Sequence, residues 1–172
     1  MKWIGALLFI SVTTWFGFYY SKQLYNRPKH IRYLKSTLQI LEAEMMYSKL
    51  PLDEVFRILA KQAPPPIESI FMDLYTRMQN NQNHVDFYTM WAEEMNKVTE
   101  KTALGRNEYE ILLQFGKTLG QHDLAQQQKN ILLTQTHLQR ELEMAQEQAG
   151  TYGKMAKSLG VLCGIFVVLL LI

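Results

Sequence analysis

The sequence predicts an all-α protein, a bundle of about six helices flanked by N- and C-terminal transmembrane helices. Three observations carry the prediction. Apolar residues through the middle of the chain recur at spacings of three and four. No stretch alternates apolar and polar residues between hairpin turns. Uncharged apolar runs occupy residues 3–20 and 159–172.

The first run, WIGALLFISVTTWFGFYY, is nearly long enough to span a hydrocarbon core of about 30 Å. Trp15, Phe16, Phe18, Tyr19 and Tyr20 fall where an interfacial aromatic belt would lie. A cleaved signal peptide is the rival reading, because Lys2 precedes the run. Bulky aromatics stand where small cleavage-site residues belong, which favours a retained anchor over 3–20. The last run, LGVLCGIFVVLLLI, gives only about 21 Å of helix at the usual rise per residue. With Lys154 and Lys157 snorkelling at its boundary, 158–172 reads as a short membrane segment. A buried core helix or a partner-binding tail is the alternative.

Charge sets the orientation. Lys22, Arg27, Lys29, Arg32 and Lys35 come after the first run, and Lys154 and Lys157 precede the last. Both biases place the middle of the chain in the cytoplasm and both termini outside. The expected organisation is an anchor at 3–20, a cytoplasmic helical domain at 28–122, a long helix at 123–157 completing that domain, and the membrane segment at 158–172.

Between the anchors the elements succeed one another in order. Ile31, Leu34, Leu38, Leu41 and Met45 define a first helix over about 28–49, entered through a breakable link at Asn26, Arg27 and Pro28. Pro51 ends it and starts PLDEVFRILAKQ, with Asp53 and Glu54 complementing the helix dipole and Leu52, Val55, Phe56 and Leu59 apolar. Pro64, Pro65 and Pro66 stop that helix. IESIFMDLYTRMQ comes next, with Ile67, Ile70, Phe71, Leu74 and Met78 inward, and Asn80, Asn81, Gln82 and Asn83 turn the chain. A fourth helix over about 85–98 presents Phe87, Met90, Trp91, Met95 and Val98. The pattern breaks over 99–105, and Asn107 with Glu110 resembles a capping box for NEYEILLQFGKTLGQ, which Gly120 closes.

Asp123 caps the final helix, and no proline or turn cluster interrupts the chain from Leu124 onward. One long helix is expected, with a heptad seam of Leu124, Gln128, Ile131, Gln135, Leu138, Leu142, Ala145, Ala149, Tyr152 and Ala156. Its small and amide residues would admit another helix, from this chain or from a partner. A homo-oligomer is one arrangement that seam allows.

The chemistry is sparse. The net charge is +2 over 172 residues, and the basic cluster at 22–35 suits anionic lipid, so a nucleic-acid partner is not expected. The single cysteine, Cys163, lies in the last apolar run and supplies neither a disulfide framework nor a thiolate metal cluster. His30, His84, His122 and His137 lack the spacing of a helical metal pair. Glu42 and Glu44, two apart on a helix, point to different faces and form no acid–base pair. Gly116 and Gly120 sit in a helical pattern, not in a phosphate-binding turn, and fit close helix packing. No cofactor or metal is expected, and the chain reads as a non-enzyme.

Polar and small residues that the core does not require gather in two segments. The candidate partner-interaction residues are Glu42, Glu44, Tyr47, Pro51 and Leu52 in the first, and Gly116, Thr118, Gly120, His122, Asp123, Gln127 and Gln128 in the second. Taken singly, each also has a structural reading: Pro51 as helix start, Gly120 as helix end, Asp123 as cap, the glutamines as a solvated face.

The strings LEAEMMYSKLPL and QFGKTLGQHDLAQQQKNI, set between an N-terminal and a C-terminal apolar run, resemble the stage III sporulation protein AB family of endospore-forming bacteria. The similarity extends over essentially the whole chain. It implies a role in an eight-gene sporulation operon, in the mother cell, at the outer forespore membrane, in a secretion-like channel complex. It also implies a helical domain similar to the cytoplasmic domains of inner-membrane platform proteins of type II secretion and type IV pilus machines. The implied partners are the cytoplasmic ATPase of the operon, stage III sporulation protein AA, and its other membrane proteins. Secretion platforms carry two such domains and three spans, whereas this chain offers one domain and two terminal anchors. A non-catalytic assembly platform is the reading the resemblance favours; a membrane-anchored regulatory or signalling adaptor is the alternative.

Overall fold

The computed structural model describes residues 2–80, 85–120 and 123–171, with side chains throughout 11–80, 85–120 and 123–153 and at a few positions beyond. Asn81, Gln82, Asn83, His84, Gln121 and His122 lie outside the described residues, as do the side chains of Lys154, Ala156, Lys157 and Cys163. Among the described residues the chain is helical and without strands: α1 (Lys2–Ala43), a π-helical turn (Glu44–Ser48), α2 (Leu52–Gln62), α3 (Ile67–Gln79), α4 (Phe87–Lys101), α5 (Arg106–Thr118) and α6 (Leu124–Leu171). The protein is all-α. Two compact units divide it: Lys29–Leu142, and Met1–Pro28 together with Glu143–Ile172.

Local chemistry explains most boundaries in Lys29–Leu142. Pro51, at φ −64° and ψ 152°, leads into α2, and Asp53 and Glu54 occupy its first turn. The proline run, in which Pro65–Pro66 is cis, separates α2 from α3. Asp86 accepts the Thr89 N–H at 3.0 Å and starts α4. That helix runs to Lys101, so the break expected from Thr99 begins instead at Thr102. The Thr102 hydroxyl donates to the Val98 carbonyl at 2.6 Å and accepts the Leu104 N–H, closing the helix. The cap expected at Asn107 is also displaced. Gly105 precedes α5, its N–H donating at 2.7 Å to the buried carboxylate of Glu108, while Glu110 pairs with Arg106 at 2.8 Å.

Trp91 is the hub of the core. Its ring centroid lies 6.2 Å from that of Phe56, 6.0 Å from Phe87 and 5.8 Å, edge-on, from Phe115. α1 contributes Ile31, Leu34, Leu38 and Leu41, the π-helical turn adds Met45, α3 contributes Ile67, Ile70, Phe71 and Leu74, and α6 contributes Ile131, Leu138 and Leu142. One charge is buried with them. Glu94 of α4 is fully enclosed and accepts from Arg77 of α3 at 2.9 Å and Lys97 at 2.7 Å, while Glu93 holds the other arm of Arg77. These paired carboxylates raise the Arg77 pKa, the Glu93 hydrogen bond most of all.

Three expectations about the long helices change. The link at Asn26, Arg27 and Pro28 is helical, since α1 runs through Pro28. Proline in a helix interior forfeits a hydrogen bond and crowds the preceding turn. Pro28 is nevertheless buried, and its neighbour Arg27 donates to Gln148 at 3.0 Å, so tertiary contacts hold the backbone helical. At its other end α1 gives way to the π-helical turn, and Lys49 takes a left-handed φ of 52°. The seam of α6 is rotated as well. Its buried positions are Gln127, Ile131, Thr134, Leu138, Glu141, Leu142, Ala145, Ala149 and Gly153, whereas Leu124, Gln128 and Tyr152 are exposed and Gln135 is half-buried. Buried polar groups are accommodated by local bonds. The Thr134 hydroxyl, for one, donates to the Asn130 carbonyl at 2.8 Å.

In the unit of Met1–Pro28 and Glu143–Ile172, α1 and α6 pair antiparallel through small residues. Ser21, fully buried, donates to the Gly153 carbonyl at 3.0 Å. A Cβ on Gly153 would lie 2.8 Å from the tip of the Tyr25 ring, so any larger residue there requires that ring to swing aside. Ala145 and Ala149 precede Gly153 on the same buried face at intervals of four. The helix that fills the small-residue seam is therefore α1 of the same chain. Large apolar side chains point outward instead, among them Trp15 at 78% exposure, Phe16, Phe18, Tyr19, Tyr152, Leu159 and Phe166. Among the described residues, no helix is long and apolar enough to cross a membrane.

Candidate partner-binding site

The two candidate segments, distant in sequence, meet in space. Near the C-terminal end of α1, the Glu42 carboxylate accepts the Gln128 side-chain amide at 3.1 Å on one oxygen and the Gln135 amide at 3.2 Å on the other, both from α6. Glu44 faces elsewhere and accepts the Ser48 hydroxyl at 2.8 Å within the π-helical turn. The different partners follow from their offset of two on a helix. Leu52, the first residue of α2, places Cδ2 3.7 Å from where a Gly120 Cβ would stand.

The α5–α6 turn is built by capping. Gly120 has a φ of 78°. Glycine adopts that left-handed conformation without the steric penalty a Cβ would bring. The Asp123 carboxylate accepts the Gln126 N–H at 2.8 Å, and its carbonyl accepts the Gln127 N–H at 2.9 Å. Gln127 then turns inward, donating at 2.7 Å to the Thr118 carbonyl. It thereby satisfies one of the orphan acceptors at the end of α5. Thr118 itself donates to the Phe115 carbonyl at 2.9 Å.

The candidates accordingly divide. Tyr47, Pro51, Gly120, Asp123 and Gln128 are exposed, Tyr47 at 87%, and Glu42, Glu44, Leu52 and Thr118 are half-buried. Gly116 and Gln127 are interior. A Cβ on Gly116 would fall 2.2 Å from the Trp91 indole, and Gln127 is an interhelical cap, so neither presents a side chain to a partner. Sequence reasoning misses Gln135 as a site residue, although it completes the Glu42 bridge. The available signal is its offset of seven from Gln128, which puts both amides on one face of α6.

Two further features lie in the same unit. A groove of about 420 Å³ between α5 and α6 is lined by Glu110, Gln114, Leu133, His137, Arg140 and Glu141, among others. His30 of α1 accepts the Ala103 N–H on Nδ1 at 2.9 Å, tying α1 to the α4–α5 connection. Burial, and secondarily the neighbouring Lys29 charge, lower its pKa below the ordinary histidine value.

The chain matches the family described as Stage III sporulation protein AB over residues 2–172. It belongs to the stage III sporulation protein AB family. Stage III sporulation protein AB of Bacillus subtilis (strain 168) is 39% identical over 171 residues, 99% of each chain. A solved structure of Stage III sporulation protein AB (SpoIIIAB) is 37% identical, with a TM-score of 0.65 covering 72% of this chain and 96% of that one. Family membership thus agrees with the resemblance read from LEAEMMYSKLPL and QFGKTLGQHDLAQQQKNI, and it makes this a stage III sporulation protein.

Proposed function

We propose that the chain is a non-catalytic platform of a sporulation-stage, secretion-like channel between mother cell and forespore, and that it couples a cytoplasmic ATPase, stage III sporulation protein AA, to membrane components of the same operon. In this reading the unit Lys29–Leu142 is cytoplasmic, the terminal helices enter the outer forespore membrane from the mother-cell side, and both termini lie outside. The carrying observation is the outward display of Trp15, Phe16, Phe18, Leu159 and Phe166 by a helix pair whose inner face holds Ser21 and Gly153. Large apolar groups outside and small ones inside reverse the order of a water-soluble bundle and suit helix packing in lipid.

The surface assigned to the ATPase is the one where the end of α1 and the start of α2 meet the start of α6 and Gly120, with Tyr47 exposed on the π-helical turn. It is exposed, and it is fixed by a bridge between distant helices, so it would present a defined shape to a partner. The test is co-purification of the ATPase with the full chain carrying Tyr47→Ala or Gln128→Ala, exposed changes that leave the core intact. Loss of the ATPase with unchanged helicity supports the assignment; undiminished association and normal sporulation sink it. Protease protection of a C-terminal tag in intact vegetative cells expressing the chain, where the far face of the membrane meets the medium, tests the topology, and a tag cleaved only after lysis contradicts it.

A further inference from the structure

We propose that α1 carries a seat for one anionic phospholipid, with its phosphate at Lys22 and Asn26 and an acyl chain along Trp15 and Phe18. The proposal rests on the membrane reading above. A groove of about 650 Å³ runs along α1 in the unit of the terminal helices, and its walls change character along the helix. Thr14, Trp15 and Phe18 line one part, and Lys22, Tyr25 and Asn26 line the other. Trp15 and Lys22 are two turns apart, on the same side of the helix and separated by about 10 Å of rise.

An occupant must therefore be apolar at one end and anionic or strongly hydrogen-bonding at the other. The exposed Lys22 ammonium and the Asn26 amide complement a phosphate, while the Trp15 and Phe18 rings give a chain the flat apolar wall it needs. The volume is that of a ligand pocket and takes one chain and part of a headgroup. Tyr25, which lines the polar part, has its ring seated beside Gly153 of α6. Arg27 extends the positive field just beyond the polar end. A zwitterionic phosphatidylcholine offers the same phosphate but brings its own cation into the positive field of Lys22 and Arg27, so it gains less from the seat.

The test is native mass spectrometry of the full chain released from detergent after titration with phosphatidylglycerol or phosphatidylcholine. Wild type should retain phosphatidylglycerol about fivefold better, the factor that one lysine near a headgroup supplies. Lys22→Gln should equalise the two lipids, Lys22→Arg should keep the preference, and Thr14→Phe, which fills the groove, should lower retention of both. Equal retention by wild type, or an unchanged preference in Lys22→Gln, overturns the proposal. A lipid-free dimer that Thr14→Phe disperses also overturns it, assigning the groove to a second copy. Flotation of each variant with phosphatidylcholine vesicles separates the two failures. Chain that floats without discriminating lipids refutes the seat alone, whereas chain that never floats refutes the membrane reading and the seat together.

Discussion

Gly116 exists for Trp91. The indole N–H donates to the Leu112 carbonyl at 2.8 Å, which holds the ring across the next turn of α5, and a methyl at position 116 would stand 2.2 Å from its Cδ1. Gly116→Ala would gain about 1 kcal/mol of helix propensity. It must, however, displace a ring packed near Phe56 and Phe115 in a close-packed interior. The expected net loss is about 1–3 kcal/mol in denaturant unfolding, as for other overpacked cores. Trp91→Phe in the same chain should relieve part of it, so a strictly additive double variant would refute the assignment.

The Glu42 bridge yields a coupling measurement. Hydrogen bonds to a charged group are worth roughly 1.5–3 kcal/mol when buried, and the half-buried setting of Glu42 reduces that, so Glu42→Ala should cost about 1–2 kcal/mol. A double-mutant cycle with Gln135→Ala should show a coupling of about 0.5–1 kcal/mol, and strict additivity would refute the bridge.

Glu94 makes α3 and α4 depend on each other. Its second oxygen is buried with no hydrogen-bond partner among the described residues, so the carboxylate relies on Arg77 and Lys97 alone. Arg77→Ala should destabilise the chain by about 2 kcal/mol, less than for a wholly buried pair because Lys97 remains and Arg77 is partly solvated. Arg77→Lys should recover part of the loss. Removing both charges together, in Arg77→Met with Glu94→Leu, should cost less than Arg77→Ala if the unpaired carboxylate is the cause.

His30 gives stability a pH dependence of known sign. Its folded pKa is lowered, so the unfolded chain binds the proton more readily, and stability rises with pH across the window below 6.5. The contribution is fully present above the unfolded value and is lost as pH falls through the folded one. Protonation also removes the lone pair that accepts the Ala103 N–H. His30→Asn, which keeps an acceptor and cannot titrate, should flatten the slope of unfolding free energy below about pH 6.5. An unchanged slope would contradict the assignment.

Much of the bundle is legible in the sequence because its elements are short and strongly punctuated. Pro51, the run at 64–66 and Asp86 each act on their own backbone, so the starts of α2, α3 and α4 can be read within a residue or two. The start of α5 falls within the same margin, but its capping pair is misread, because two acidic residues compete for the cap. Glu108 takes the Gly105 N–H from the third position of the helix, a spacing that the sequence holds but offers equally for Asn107 and Glu110. The rotation of the α6 seam is a fact that no local pattern contains. Gln127 and Glu141 look like solvent-facing residues until the Thr118 carbonyl and the Asn107 amide are placed beside them.

By itself the sequence determined the helical class, the apolar stripes, the order of the elements and the family, since these depend on spacing, on turn chemistry and on strings such as QFGKTLGQHDLAQQQKNI. It also singled out the two segments that meet at Glu42 and Gln128. Only the tertiary structure decided which of their residues face outward, that α1 continues through Pro28, and that the small residues of α6 serve α1. The physical reason is that helix propensity and capping act over a few residues. Burial, by contrast, is decided by whichever helix arrives from a distant part of the chain, and it can retain a proline, enclose a glutamine or demand a glycine that local energetics would refuse.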